Sequence, residues 1–444
     1  MNRFYSTVVN PLVEGVNLDD YVVATYLVGA EVHEDPLVKA VSIAIEQTTG
    51  SWADVAAETD EFRARYAGKV FGVYEVPDYV NATDLKMGLA EGQLRFYIIR
   101  IGYPVVNIDD NIPLLFSTIT GNITALPNLK CVDIDFPESF VKKFKGPKFG
   151  LEGIRKLLGV YDRPLLNNMI KPCTGYTPQV GAELFFEAAV GGIDHIKDDE
   201  LIGGDRAFNN LEERVTRNME MAAKAEQIKG EKTLYTVNIT DEVSRLKDNA
   251  MRAIKAGANG LMIDGWSTGL SALRSLAEDP DINVPILSHP SYTGAVYASP
   301  YQGVSTTVVN KLTRLCGADI VVIPHPIGKF DQMKFKSIQS YIQCTSKMYH
   351  IKPCAVLWGG GTIAGNIPYM MNETGNDCIM GAGAAVHGFP DGPRAGARAL
   401  RQAIEAAMKN QSLREAAKEH EELRKALDKW GVVGEEDIKK NYLI

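Results

Sequence analysis

Beyond about residue 160 the chain repeats one pattern: a short apolar run, then in most cases a longer stretch with apolar residues at helical spacing. The runs are "LLNNMIKP", "DHIKDDE", "LYTVNIT", "GLMIDGW", "VPILSHP", "DIVVIPHP", "CAVLWGGG" and "CIMGAG". Such near-continuous apolar runs suit strands buried on both faces. The stretches between them include "PQVGAELFFEAAVGG", "SRLKDNAMRAIKAGA" and "VVNKLTRLCGA", each with one apolar stripe. Eight strand–helix units over about 250 residues predict a (β/α)8 barrel, with a doubly wound open sheet as the rival.

The preceding segment reads differently. "YVVATYLVGA" and "LRFYIIRIGYPV" have the look of strands and "DPLVKAVSIAIEQT" of an amphipathic helix, so residues 1–140 are expected to form an α+β domain of ferredoxin-like type. The basic, Gly- and Pro-marked "KFKGPKFGLEGIRKLLG" marks the boundary. The barrel is then expected over 141–410, and "LREAAKEHEELRKALDKWG" in 411–444 as a charged helix packed outside it.

In barrels of this type the chemistry sits at the C-terminal ends of the strands. Lys171, Lys197, Asp199, Glu200, Asn238, Asp264, His289 and His325 all fall there. Within "GGIDHIKDDE", strand alternation puts Lys197 and Asp199 on one face, Asp198 on the other, and Glu200 at the strand's end. Two carboxylates suit a hard cation such as Mg2+ but under-fill its shell, and a protonated amine cannot coordinate it.

Bulk properties narrow the options. A formal net charge of −8 argues against a nucleic-acid partner. No run approaches the roughly 18 apolar residues of a membrane span, and the first residues lack a secretory pattern. The six cysteines (131, 173, 316, 344, 354, 378) are scattered without a CxxC pair, which points to free thiols in a reducing cytoplasm.

"GGIDHIKDDE" resembles the metal-site motif of the large chain of ribulose-1,5-bisphosphate carboxylase/oxygenase, RuBisCO. The likeness runs through nearly the whole chain: "IEQTTGSWADV", "STITGNITAL", "MIKPCTG", "ILSHP", "LCGADIVVIPHPIGKFD", "LWGGGTIAG" and "IMGAGAAVHG" each resemble a family segment, in order. The resemblance implies that Lys197 reacts with CO2 to give a carbamate that completes a Mg2+ site with Asp199 and Glu200. It implies Lys171, His289 and the loop residue Lys329 as catalytic groups. Gly359, Gly360, Gly361, Gly381 and Gly383 are expected to bind phosphate. Glu46, Ser51, Trp52 and Asn122 are expected to complete the active site of a neighbouring subunit, so the active unit would be a homodimer or a multiple of dimers.

Four departures separate the chain from the CO2-fixing members it resembles. Cys173 stands where they carry a second lysine, Pro290 where an arginine grips the substrate's second phosphate, Gly359 at a serine and Val322 at a histidine. The resemblance is therefore to RuBisCO-like proteins, form IV, acting through an enolate of a singly phosphorylated keto compound. Decarboxylation (or carboxyl transfer) of 3-oxo-isoapionate 4-phosphate is the first expectation. Methionine-salvage enolase or isomerase chemistry on methylthio-pentulose phosphates is the alternative, and a non-catalytic binding protein the reading from another class.

Overall fold

The computed structural model describes residues 7–50, 55–76, 94–329 and 333–435. The chain forms two compact units. One holds the segment up to Phe144 together with Tyr292–Val309; the other holds Lys145–Ser291 and the chain from Asn310.

The first unit is built on a five-stranded sheet: β1 (Tyr21–Glu31), β2 (Lys69–Glu75), β3 (Leu94–Pro104), β4 (Leu129–Asp135) and, from much later in the chain, β10 (Gln302–Val304). The order is β10-β4-β1-β3-β2, antiparallel except where β10 runs parallel to β4. Helices follow β1 and β3, so the first four strands have the ferredoxin-like arrangement. The helix Pro36–Glu46 starts where Asp35 accepts from the Leu37 and Val38 N–H groups, with proline in its first turn, and it buries Ala40, Val41, Ile43, Ala44 and Ile45. The helix Ile112–Ile119 is tied to the sheet by Tyr26, whose hydroxyl bonds the Ile119 carbonyl at 2.8 Å and Tyr103 at 2.9 Å.

The second unit is a closed parallel barrel of β5 (Leu165–Met169), β6 (His195–Lys197), β7 (Leu234–Asn238), β8 (Gly260–Ile263), β9 (Ile286–Ser288), β11 (Ile320–Pro324), β12 (Ala355–Gly359) and β13 (Ile379–Ala382). The register Ile379↔Leu165 closes the ring. Leu165, Leu234, Met262, Leu287, Ile320 and Leu357 pack in one core with Ile154 and Leu158 of the helix Gly150–Leu158. The helix Glu421–Trp430 buries Leu423, Ala426, Leu427 and Trp430, and its Glu422 bonds Arg398 and Gln402 of the helix Pro393–Met408. No helix among the described residues is long and apolar enough to cross a membrane.

The residues just ahead of two barrel strands are buried acids with full sets of partners. Asp319 accepts from the N–H groups of Phe149, Gly150 and Ile286, at 2.6, 2.9 and 2.9 Å. Asp194 pairs with Arg163 at 2.7 and 2.8 Å and accepts the Leu166 N–H at 2.8 Å.

Candidate active site

Strand β6 ends at Lys197, two residues earlier than an alternating Lys197–Asp199 face requires. Asp199 and Glu200 lie in the turn that follows, so the turn and not the pleat brings them beside the lysine. Asn238, at the end of β7, pins that turn by donating to the Asp199 and Glu200 carbonyls at 3.3 and 3.4 Å. Asp198 faces away, bonded to Arg214 Nε at 3.0 Å, the Tyr235 hydroxyl at 2.7 Å and the Asn238 N–H at 3.0 Å.

Lys197 is only 1 % exposed. Its Nζ donates to the Asp198 carbonyl at 2.8 Å and faces Glu200 Oε2 at 3.5 Å. Lys171, just past β5, donates to Asp199 Oδ2 at 2.6 Å and to Cys173 Sγ at 2.9 Å. Beyond Glu200 comes His289, whose Nε2 lies 3.4 Å from Glu200 Oε2 and whose Nδ1 lies 2.8 Å from Ser291 Oγ. Asp264 Oδ1 is 3.8 Å from the same Nδ1. The ends of β5, β6, β8 and β9 thus bring Lys171, Lys197, Asp199, Glu200, Asp264 and His289 into one polar cluster.

Burial and charge polarise this cluster. Burial pushes the Glu200 carboxyl up, but the Lys197 charge and backbone bonding outweigh it and hold the group below its ordinary value. Burial likewise lowers Lys171, yet its bonds to Asp199 and Cys173 leave the amine more basic than usual. Burial, with Lys197 adding repulsion, drives His289 well below the usual range, so the ring is neutral. Asp264 rises to about 7, first because it is buried and second because Glu200 repels its charge.

Two carboxylates and an amine are a poor cradle for a hard cation, and among the described residues no group of three or more His, Cys, Asp or Glu side chains converges to hold one. The set fits Mg2+ only if Lys197 itself becomes an anionic oxygen ligand.

The other predicted residues are placed as follows. Lys329 is exposed on the loop after β11, its N–H bonded to the Gly360 carbonyl at 2.9 Å. Gly359 ends β12, followed by Gly360 and Gly361 in left-handed backbone. A Cβ on Gly361 would come within 2.4 Å of Gly328 Cα, so close approach of loop and turn by itself requires glycine there. Gly381 lies in β13, and Gly383 borders the active cluster: a Cβ there would sit 3.2 Å from Lys171 Cε. In the other unit Glu46 ends its helix and accepts from Asn122 Nδ2 at 3.3 Å; both line a cavity of about 480 Å3 with Lys39, Val38, Ile43 and Leu126. Ser51 and Trp52 fall outside the described residues.

His325 is fully buried; its Nδ1 accepts the Ile327 N–H at 3.3 Å, and Nε2 has no hydrogen-bond partner. Burial lowers its pKa to about 3. Sequence reasoning missed Ser291, which carries no signal beyond following "HP", and His387, which lies inside a quoted glycine-rich segment. His387 Nε2 bonds Asn168 Oδ1 at 2.9 Å, and burial with the nearby Lys171 charge lowers it to about 4.

Fold and rim together define a (β/α)8 barrel of the enzyme type, with a buried lysine between acids at the C-terminal ends of its strands. The family model for the catalytic domain of the ribulose bisphosphate carboxylase large chain matches residues 150–430, and that for its N-terminal domain matches 16–140. The chain belongs to the RuBisCO large-chain family. A "Ribulose bisphosphate carboxylase-like protein" of Archaeoglobus fulgidus is 47% identical over 420 residues, 94% of this chain and 95% of the relative. A 2,3-diketo-5-methylthiopentyl-1-phosphate enolase of Geobacillus thermodenitrificans is 34% identical over 413 residues, 93% of this chain and 98% of that one. The solved structure of a dimeric archaeal Rubisco from Hyperthermus butylicus is similar with a TM-score of 0.84 at 31% identity, covering 97% of this chain and 100% of the other.

Proposed function

We propose that the chain catalyses enolisation of a singly phosphorylated ketone, with 2,3-diketo-5-methylthiopentyl 1-phosphate as the candidate substrate. The observation that carries this reading is the neutral His289 set against the Lys197–Asp199–Glu200 cluster, with cationic Lys171 opposite. The similarity to enolases over nearly the full length of both chains supports it. It takes the place of sugar-acid decarboxylation, the first expectation from sequence, because the similarity to enolases favours the alternative.

An enolase must remove a proton beside a carbonyl and tolerate the negative charge that appears on oxygen. His289 Nε2 is the candidate base. Lys171, held protonated by Asp199, neutralises the developing charge. Asp199, Glu200 and a carbamate on Lys197 would hold Mg2+, which when bound supplies further positive charge to the enolate oxygens. The turns at Gly359–Gly361 and Gly381–Gly383 hold the single phosphate, and Lys329 covers it from the loop. Pro290 has no side-chain donor for a second phosphate, so ribulose 1,5-bisphosphate is bound weakly and not carboxylated.

Glu46 and Asn122 complete the site of a second subunit. Mixing inactive Lys197→Met with inactive Asn122→Ala chains is then expected to restore part of the activity, and proven hybrids without rescue would argue against shared sites.

The deciding assay follows enol formation from 2,3-diketo-5-methylthiopentyl 1-phosphate in parallel with CO2 release from 3-oxo-isoapionate 4-phosphate. Enol formation alone is the expected result; CO2 release without enolisation would overturn it in favour of the decarboxylase.

A further inference from the structure

Enolisation as drawn above leaves His325 unused, yet the fold holds it at a cost. The ring is fully buried, and burial keeps it neutral. A neutral imidazole carries one hydrogen. Nδ1 accepts the Ile327 N–H at 3.3 Å, so that hydrogen is on Nε2, and Nε2 has no hydrogen-bond partner. A buried donor left unpaired is destabilising. A leucine would fill the space beside Trp358 without that penalty. What a leucine could not do is accept the Ile327 N–H.

That bond belongs to a turn. The His325 carbonyl accepts the Gly328 N–H at 3.1 Å, with Pro326 second and Gly328 fourth in the turn. Turns with this order favour Asp, Asn or Ser in first place, where a short side-chain acceptor reaches the N–H two residues on. His325 Nδ1 does the same from an imidazole. The turn is also pressed onto its neighbour. The His325 N–H donates to the Gly359 carbonyl and the Lys329 N–H to the Gly360 carbonyl, each at 2.9 Å. A Cβ on Gly328 would collide with the Gly360 carbonyl oxygen.

We propose that His325 is a positioning residue, whose Nδ1 clamps the turn after β11 against the glycine turn of β12 and so fixes where Lys329 stands over a bound phosphate. Lys329 lies two residues beyond the clamped amide, and its own N–H completes the attachment to Gly360. A long side chain reaches a defined point only when its backbone is held, and small misplacements of such groups are costly. That a phosphate lies there rests on the proposed function; the clamp itself does not.

The test uses the full-length protein with inorganic phosphate as the probe. His325→Leu keeps an apolar side chain in place and removes the acceptor, whereas His325→Asn supplies the acceptor that such turns favour. His325→Leu is expected to speed hydrogen exchange in the peptide carrying Ile327, Gly328 and Lys329, and to weaken phosphate binding on the order of tenfold. His325→Asn is expected to stay near wild type in both. Beside Lys329→Ala, His325→Leu is expected to weaken phosphate binding no further. Unchanged exchange in His325→Leu would overturn the clamp, as would an asparagine variant as impaired as leucine. Unchanged phosphate affinity, or a tenfold loss that persists beside Lys329→Ala, would overturn the link to Lys329. If the wild type binds no inorganic phosphate, the phosphate reading falls, and exchange at Ile327 still decides the clamp.

Discussion

Asp319 and Asp264 are both buried barrel carboxylates with raised pKa values, at opposite ends of the strands they adjoin. At the N-terminal end Asp319 spends its lone pairs on three backbone N–H groups. At the C-terminal end Asp264 keeps an unpartnered oxygen beside a second acid and a neutral histidine. Arg314 and Lys197 repeat the contrast. Arg314 donates to four backbone carbonyls, of Lys352, Gln343, Ser346 and Ile351, whereas Lys197 meets one carbonyl and a distant carboxylate. Asp319 and Arg314, at the lower rim, are satisfied by backbone and serve the fold. Asp264 and Lys197, at the upper rim, are left in need of partners, which is where an anionic substrate and a cation have something to gain.

Substitutions at the two ends should therefore separate activity from stability. The largest effect is expected from Lys197→Met, which should abolish turnover in the enolisation assay while leaving thermal unfolding close to wild type, since Glu200 regains solvent and a buried charge is removed. A drop in melting temperature as large as that of a lower-rim variant would break the contrast.

Next comes activation. Preincubation with bicarbonate and Mg2+ is expected to raise activity several-fold, measured as initial rate; full activity in CO2-free buffer with EDTA would remove the carbamate from the scheme. Asp319→Ala is the mirror experiment. It strands three buried N–H donors, so denaturant unfolding should show a loss of roughly 3 kcal/mol or more, with kcat per folded molecule unchanged.

The last effect is read as a slope and not as a loss. Asp264 titrates near 7 in the fold against 3.8 for a free carboxyl, so the native state holds the extra proton between those values. Stability from this group is full below pH 4 and declines as the pH rises toward 7. Asp264→Asn should remove that decline, seen as a flatter plot of unfolding free energy against pH; parallel plots would mean that Asp264 is not so raised.

Much of this was legible in sequence where one face or one period dominates. Apolar runs such as "DIVVIPHP" and "CAVLWGGG" gave away barrel strands because both faces of such strands are buried. The GGIDHIKDDE cluster was visible because four charges beside buried apolar residues need a reason. That Asp199 as well as Glu200 lies beyond the strand was not visible, since where β6 stops depends on Asn238 and the Asp198–Arg214 pair, which are remote in the chain. Asp319 and Ser291 were hidden for the same cause: a single Asp or Ser has no periodicity, and only the folded backbone decides which donors it meets.

One strand sets an order of events during synthesis. β10 belongs to the sheet of the first unit, lying along the edge of β4, yet it is encoded after five of the eight barrel strands. A ribosome that has finished β4 has not finished that sheet, and β4 must wait with an open edge through more than 160 residues of further translation. Lys130 sharpens the point, because its amine bonds the Tyr297 carbonyl at 2.7 Å and acquires that partner only when the late segment arrives. A gene cut after residue 144 would yield a sheet one strand short, with its adhesive edge exposed; the unit is separable in space but not in sequence.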